Sequence, residues 1–244
     1  MLLASLVLKE TVKDENFKSS ILLNNIEEAA KNNIKNLVIA PAYYDENSES
    51  NINKVKEIVE ELNNYLQVKD IDIKLYPGNL LRDNYENVKE YINGKLGSIN
   101  DSNYILLDVE EADKIDDLLE IVFEYKLRNV TPIIVSPEKI KEIIKDKNKI
   151  NKLLEEGCLF QLDPASLKGE YGKAIKKTAK FLLKRNIYQF VGFYERIDSK
   201  LIDDKIFALS KEGIFVVDSE KALRNNRLNK IKRKKLKEKN DILF

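Results

Sequence analysis

Residues 131–139 read TPIIVSPEK, and their reading decides the fold. Pro132–Val135 is short, apolar and β-branched, as a buried strand is. Pro137 then opens a stretch, Pro137–Lys145, that reads as a helix, since proline's missing N–H costs nothing in a first turn.

The same succession recurs on both sides. Further strands are expected at Leu2–Leu8, Leu37–Ala40, Ile71–Tyr76, Tyr104–Val109, Cys158–Leu162 and Tyr188–Gly192. Helical periodicity fills the gaps. Phe17–Lys31, Ile52–Leu66, Ile115–Leu127 and Tyr171–Leu183 each repeat apolar residues at three- and four-residue steps, and Asn84–Ile92 is a shorter candidate. Seven strands alternating with helices predict a parallel sheet, either open and doubly wound or closed into a barrel.

Four of the five prolines follow a strand: Pro41, Pro77, Pro137 and Pro164. In parallel α/β folds, ligands bind at the carboxyl ends of the strands. The prolines therefore either stiffen a binding face or simply end strands, because proline cannot donate to the ladder.

Composition narrows the chemistry. The 244 residues are 43% hydrophobic and 34% charged, ordinary for a soluble globular protein. No apolar run approaches the length of a membrane span, and the opening MLLASLVLKE is too soon charged for a signal peptide. The expectation is a cytoplasmic protein. The single cysteine, Cys158, fits a reducing compartment and reads as an inert buried thiol. There is no histidine, so Ser-His-Asp and Cys-His nucleophile systems are excluded. The usual nitrogen ligand of zinc, manganese and iron is missing too, and any metal site would be built from oxygens. Neither GxGxxG nor GxxxxGK[ST] occurs, which argues against a nucleotide-binding Rossmann domain.

The net charge of +1 conceals an asymmetry. Residues 221–244 hold ten Lys or Arg and two acids, leaving 32 basic and 39 acidic residues elsewhere. The chain therefore reads as an acidic domain over residues 1–216 and a basic C-terminal helix or tail over 217–244.

In order, the strand ends read SLV (5–7), APAYY (40–44), YPGNL (76–80), YILLDV (104–109) and TPIIVSPEK (131–139). Then come QLDPASLKGEYGKAIKKTAKFLL (161–183) and FVGFYER (190–196). This series resembles the PHP-domain tyrosine phosphatases of bacterial capsule operons, the CpsB/YwqE type. That family is written around HxH, TPH, PGxE, a fourth-strand acid, a TPI(L/I)AHPER segment, SLxGxxG and SDAH. The resemblance implies a distorted (β/α)7 barrel, parallel strands inside and helices outside. It also implies manganese-type ions at the barrel mouth that bind phosphotyrosine and supply the attacking hydroxide.

The departures carry as much as the match. At the positions that the resemblance aligns with metal ligands stand Ser5, Val7, Ala42, Leu80, Ser136, Tyr194 and Arg196. Asp108 alone keeps a ligand's chemistry. A metal that must acidify bound water needs more than one carboxylate, so no metal and no other cofactor is expected, and the inherited catalytic site reads as inactive.

Other groups could use the same mouth. Lys139 and Arg196 either hold a phosphate without metals or pair with nearby acids. Tyr43, Tyr44 and Tyr194 either stack on a ligand ring or fill space. Asp45, Glu46, Asp108, Glu110, Glu111 and Asp163 are carboxylates for acid–base work or Mg²⁺, or else solvated loop residues. The run Lys230–Lys239 is either a basic helix for an anionic membrane or other polyanion, or a frayed terminus. No aromatic interleaves it, so specific nucleic acid binding is not expected.

The leading expectation is a non-catalytic relative of the capsule phosphatases that binds a partner, with the tyrosine kinase of polysaccharide biosynthesis as the candidate. The alternatives are a metal-dependent tyrosine phosphatase or other phosphoester hydrolase with a residual or rebuilt site, and a scaffold acting through its basic tail. Oligomeric state is left open by the sequence.

Overall fold

The computed structural model describes residues 2–8, 20–43, 51–109 and 114–202. Tyr44, Asp45, Glu46, Glu110, Glu111, the 216/217 boundary and Lys230–Lys239 lie outside them.

Strand β1 (Leu2–Leu8) is followed by helix α1 (Ser20–Lys31), β2 (Ile34–Pro41) and α2 (Ile52–Val68). Two short strands, β3 (Lys74–Pro77) and β4 (Leu80–Arg82), precede α3 (Tyr85–Ile92). Then come β5 (Tyr104–Asp108), α4 (Ile115–Lys126), β6 (Thr131–Val135), α5 (Lys141–Lys145) and α6 (Ile150–Glu155). The described part closes with β7 (Leu159–Leu162), α7 (Pro164–Lys168), α8 (Lys173–Leu183) and β8 (Phe190–Tyr194).

All strand pairs are parallel, in the order β3-β2-β1-β8-β7-β6-β5-β4. The two outer strands of that order are successive pieces of one stave. β3 pairs with β2, β4 pairs with β5, and only Gly78 and Asn79 separate them. Just beyond β2, Ala42 bridges Leu80, and Tyr43 N–H donates to the Leu80 carbonyl at 3.3 Å. The sheet thereby closes into a ring of seven staves with the third one split. The barrel alternative read from the sequence is the correct one.

The interior is filled. Val7, Val38, Leu106, Ile133, Gln161 and Phe190 point inward and are buried, while Leu6, Leu37, Ile39, Leu107, Ile134 and Phe160 are buried on the opposite, helix-covered face of the same strands. A void of about 10 Å³ lies beside Ser5, Gln161 and Phe190, room for a single water at most. Outside, α2 shows the helix logic. The Asn51 side chain accepts from the Asn53 N–H, which caps the first turn, and Val55, Ile58, Val59, Leu62 and Leu66 form the buried stripe.

Three expectations are corrected. The third strand begins at Lys74, not Ile71, because Asn63 of α2 clasps the Leu75 backbone on both its N–H and its carbonyl. Pro137–Lys145 is not one helix. Ser136 turns into the left-handed region (φ 50°), a 3₁₀ turn covers Pro137–Lys139, and Ile140 is extended (ψ 121°) before α5 begins. The short helices α6 and α7 were not expected.

Candidate functional site at the barrel mouth

Three strand ends deliver the polar cluster at the mouth. Beyond β6, the tight turn at Ser136 carries Glu138 inward and Lys139 to the edge. Beyond β7, Asp163 caps α7, its Oδ1 accepting from the Ala165 N–H at 2.9 Å, with Pro164 in the first turn. β8 ends at Tyr194.

Lys139 is the centre of this cluster. Its Nζ lies 2.7 Å from Asp163 Oδ2, 3.7 Å from the centre of the Tyr171 ring and 4.7 Å from that of Tyr194. Asp163 is 3% exposed and Lys139 29%, so the pair is largely withdrawn from water. Two ring faces and one carboxylate occupy the ammonium. Of the two readings of Lys139, the geometry supplies the paired one.

Beneath it lies Glu138, fully buried. Its Oε2 accepts from Tyr188 O–H at 2.9 Å and its Oε1 from the Asp163 N–H at 3.2 Å. Burial is the main force lifting its carboxyl to about 7, and the nearby Asp163 charge adds to it. Burial likewise raises the phenols of Tyr188 and Tyr194, and the charges of Glu138 and Asp108 respectively reinforce this.

Asp108, at the end of β5, is half-buried, and its Oδ1 accepts from the Val109 N–H at 3.1 Å and from Tyr194 O–H at 3.4 Å. Tyr194 thus touches both Lys139 and Asp108. Tyr43 lies elsewhere. It is 1% exposed, and its hydroxyl accepts from Lys95 Nζ at 3.0 Å. Arg196 is exposed and forms no ion pair among the described residues. Its turn is held from α1, where Asn25 donates to the Glu195 carbonyl and accepts from the Ile197 N–H.

Of the remaining positions highlighted by the resemblance, three are apolar, Ser5 is already bonded, and Ser136 is buried. Val7, Ala42 and Leu80 belong to the hydrophobic core and offer no donor atom. Ser5 Oγ donates to Gln161 Oε1 at 2.9 Å inside the barrel, across Gly192. A Cβ on Gly192 would lie 1.8 Å from Gln161 Nε2, so the absence of a side chain there is what admits this buried pair. Among the described residues, no group of three His, Cys, Asp or Glu side chains is placed to hold a metal ion. No helix among them is long and apolar enough to cross a membrane.

The sequence reading missed Glu138, Tyr171, Tyr188 and Gln161. Glu138 stood inside the stretch TPIIVSPEK, where a charged residue next to a proline turn reads as solvated. Tyr171 was visible as an aromatic in the glycine-flanked GEYG. Neither signal reveals that both converge on Lys139 and Asp163.

The profile of the family described as "Capsular polysaccharide synthesis, CpsB/CapC" matches residues 11–196. The chain belongs to the CpsB/CapC family. CapC of Staphylococcus aureus, named as a tyrosine-protein phosphatase, is 25% identical over 167 residues, 68% of this chain and 66% of its own length. The tyrosine-protein phosphatase YwqE of Bacillus subtilis is 26% identical over 193 residues, 79% of this chain and 74% of its own. The chain thus spans about two thirds to three quarters of these CpsB/CapC relatives. In three dimensions it is similar to a chain from the crystal structures of YwqE from Bacillus subtilis and CpsB from Streptococcus pneumoniae, described as metal-dependent tyrosine phosphatases. The TM-score is 0.72 with 21% identity, over 92% of this chain and 94% of the other. That similarity establishes the fold that this member shares with other CpsB/CapC proteins.

Proposed function

We propose that this member of the CpsB/CapC family binds a protein partner at its barrel mouth and does not hydrolyse it. The observation that carries this reading is the replacement of donors by hydrocarbon at the mouth. Val7, Ala42 and Leu80 are buried core residues with nothing to offer a cation. Among the described residues, the cation paired there is Lys139, which balances Asp163. Ions of the manganese type prefer oxygen and nitrogen donors in sets, and these residues do not fit such a cluster.

The relatives' names supply the partner class. CapC and YwqE are named as tyrosine phosphatases, and the partner proposed here is a protein of the same phosphotyrosine circuit, a tyrosine kinase of polysaccharide synthesis. Partner recognition without turnover is the expected behaviour.

The test is metal analysis of chelator-free protein together with phosphotyrosine-peptide hydrolysis, with and without added Mn²⁺. The expected result is substoichiometric metal and no Mn²⁺-dependent turnover. Stoichiometric manganese, iron or zinc with hydrolysis that tracks it would overturn the proposal and establish a working phosphatase.

A further inference from the structure

Helix α8 carries a feature that the mouth does not explain. From Lys173 to Arg185 the sequence holds six cations and no acid. Lys173, Lys177, Lys180 and Lys184 are exposed and recur at steps of four, three and four, so they form one stripe down the helix. None of these four makes an ion pair or side-chain hydrogen bond among the described residues. Lys176, by contrast, is tied back to the Lys168 carbonyl at 2.9 Å.

This arrangement opposes the helix's own stability. Like charges three and four residues apart repel. Lys173, the first residue of α8, adds a positive charge at the positive end of the helix dipole. An acid at any of these positions would relieve the strain, and none is present.

We infer that the α8 stripe is a docking surface for an acidic polypeptide segment. The stripe is about 16 Å long at 1.5 Å per residue, the span of about five residues of extended chain. Its location matches a ligand whose end reaches the mouth. α8 begins two residues after Tyr171, whose ring covers Lys139, and runs from there down the outside of the barrel. An acidic segment flanking the group bound at the mouth would lie along the lysines. Other polyanions fit less well. Phe181, the aromatic of α8, is half-buried with the Arg185 guanidinium 3.7 Å from its ring centre. It is thus covered against base stacking, and the stripe carries no large exposed apolar side chain to enter a bilayer.

This surface deepens the proposed function by giving the partner's chemistry, and its test is independent of phosphotyrosine. A fluorescein-labelled decaglutamate peptide is titrated by anisotropy into the full chain at low and at physiological salt. A stripe variant (Lys173→Gln, Lys177→Gln, Lys180→Gln, Lys184→Gln) is compared with a variant of equal charge elsewhere (Lys31→Gln, Lys69→Gln, Lys74→Gln, Lys89→Gln). Four exposed charge contacts at the usual worth of a surface pair predict roughly tenfold weaker binding for the stripe variant. The control variant should bind within about twofold of the wild type. Glutamine is a good helix former, so the stripe variant should melt no lower than the wild type. Equal losses in both variants, or none in either, would overturn the assignment. So would a larger stripe-dependent affinity for phosphatidylserine vesicles or for a thymidine oligonucleotide than for decaglutamate. The peptide contains no tyrosine, so failure here leaves the reading of the mouth standing, and failure of that reading leaves this result standing.

Discussion

The ammonium of Lys139 lies 2.7 Å from the carboxylate of Asp163 and is flanked by the rings of Tyr171 and Tyr194. A charge held this way neutralises a buried acid that the fold cannot otherwise tolerate. Replacing Lys139 by Gln leaves Asp163 buried without its counter-charge. The expected loss is about 3 kcal/mol, the lower end for a broken buried pair because Lys139 is partly exposed. Urea unfolding at neutral pH measures it. A loss within the scatter of surface substitutions would show that the pair carries no structural role.

Glu138 makes stability depend on pH in the direction opposite to most carboxylates. Its carboxyl is raised from 4.5 to about 7, chiefly by burial. Between those values the folded chain holds a proton that the unfolded chain has released. The resulting stabilisation, about 3 kcal/mol, is complete below the unfolded value and is lost as pH rises through the folded one. Wild type should therefore weaken relative to Glu138→Gln as pH goes from about 5 to about 8. Glutamine keeps an acceptor for Tyr188 and cannot titrate. Denaturant midpoints of both proteins across that range give the comparison, and a constant difference would refute the assignment.

Gly192 is required by a neighbour rather than by its own backbone. Its space is taken by Gln161, whose Oε1 accepts from Ser5. Gly192→Ala should destabilise by about 1–3 kcal/mol through overpacking. Combined with Gln161→Ala, the same substitution should cost much less, since the clashing amide is gone. A double-mutant cycle with no coupling would show that the clash is relieved elsewhere.

Asn25 should act locally. Removing its side chain in Asn25→Ala frees the Glu195 carbonyl and the Ile197 N–H of the turn after β8. Exchange of the Ile197 amide should accelerate by tenfold or more, about 1.4 kcal/mol of lost local protection. Amides within β5 should exchange as before. Uniform acceleration across the barrel would instead indicate global destabilisation.

These residues also show what the sequence could and could not convey. β1 was legible because a short apolar run ended by Lys9 and Glu10 in the sequence leaves one solution. The helices α2, α4 and α8 were legible from their stripes. The start of β3 was not, since a side chain from α2 sets it through two hydrogen bonds to Leu75. The mouth was half legible. Lys139, Asp108, Asp163 and Tyr194 stood out as polar or aromatic groups at strand ends. Their partners did not, because the Tyr188–Glu138 hydrogen bond spans 50 residues and the Tyr194–Asp108 bond 86. Periodicity reports which face a residue occupies, not which distant residue meets it there.

The split third stave gives the barrel a joint. β3 is laced to β2 and β4 to β5 by short ladders, and past Gly78 and Asn79 the bridge from Ala42 to Leu80 and the bond from Tyr43 continue the hold of β2 on β4. Between these two staves the bridge is the fastening nearest the rim beside the mouth. A ligand that spreads the rim would be registered first by the Tyr43 amide, on the opposite side of the ring from the Lys139 cage.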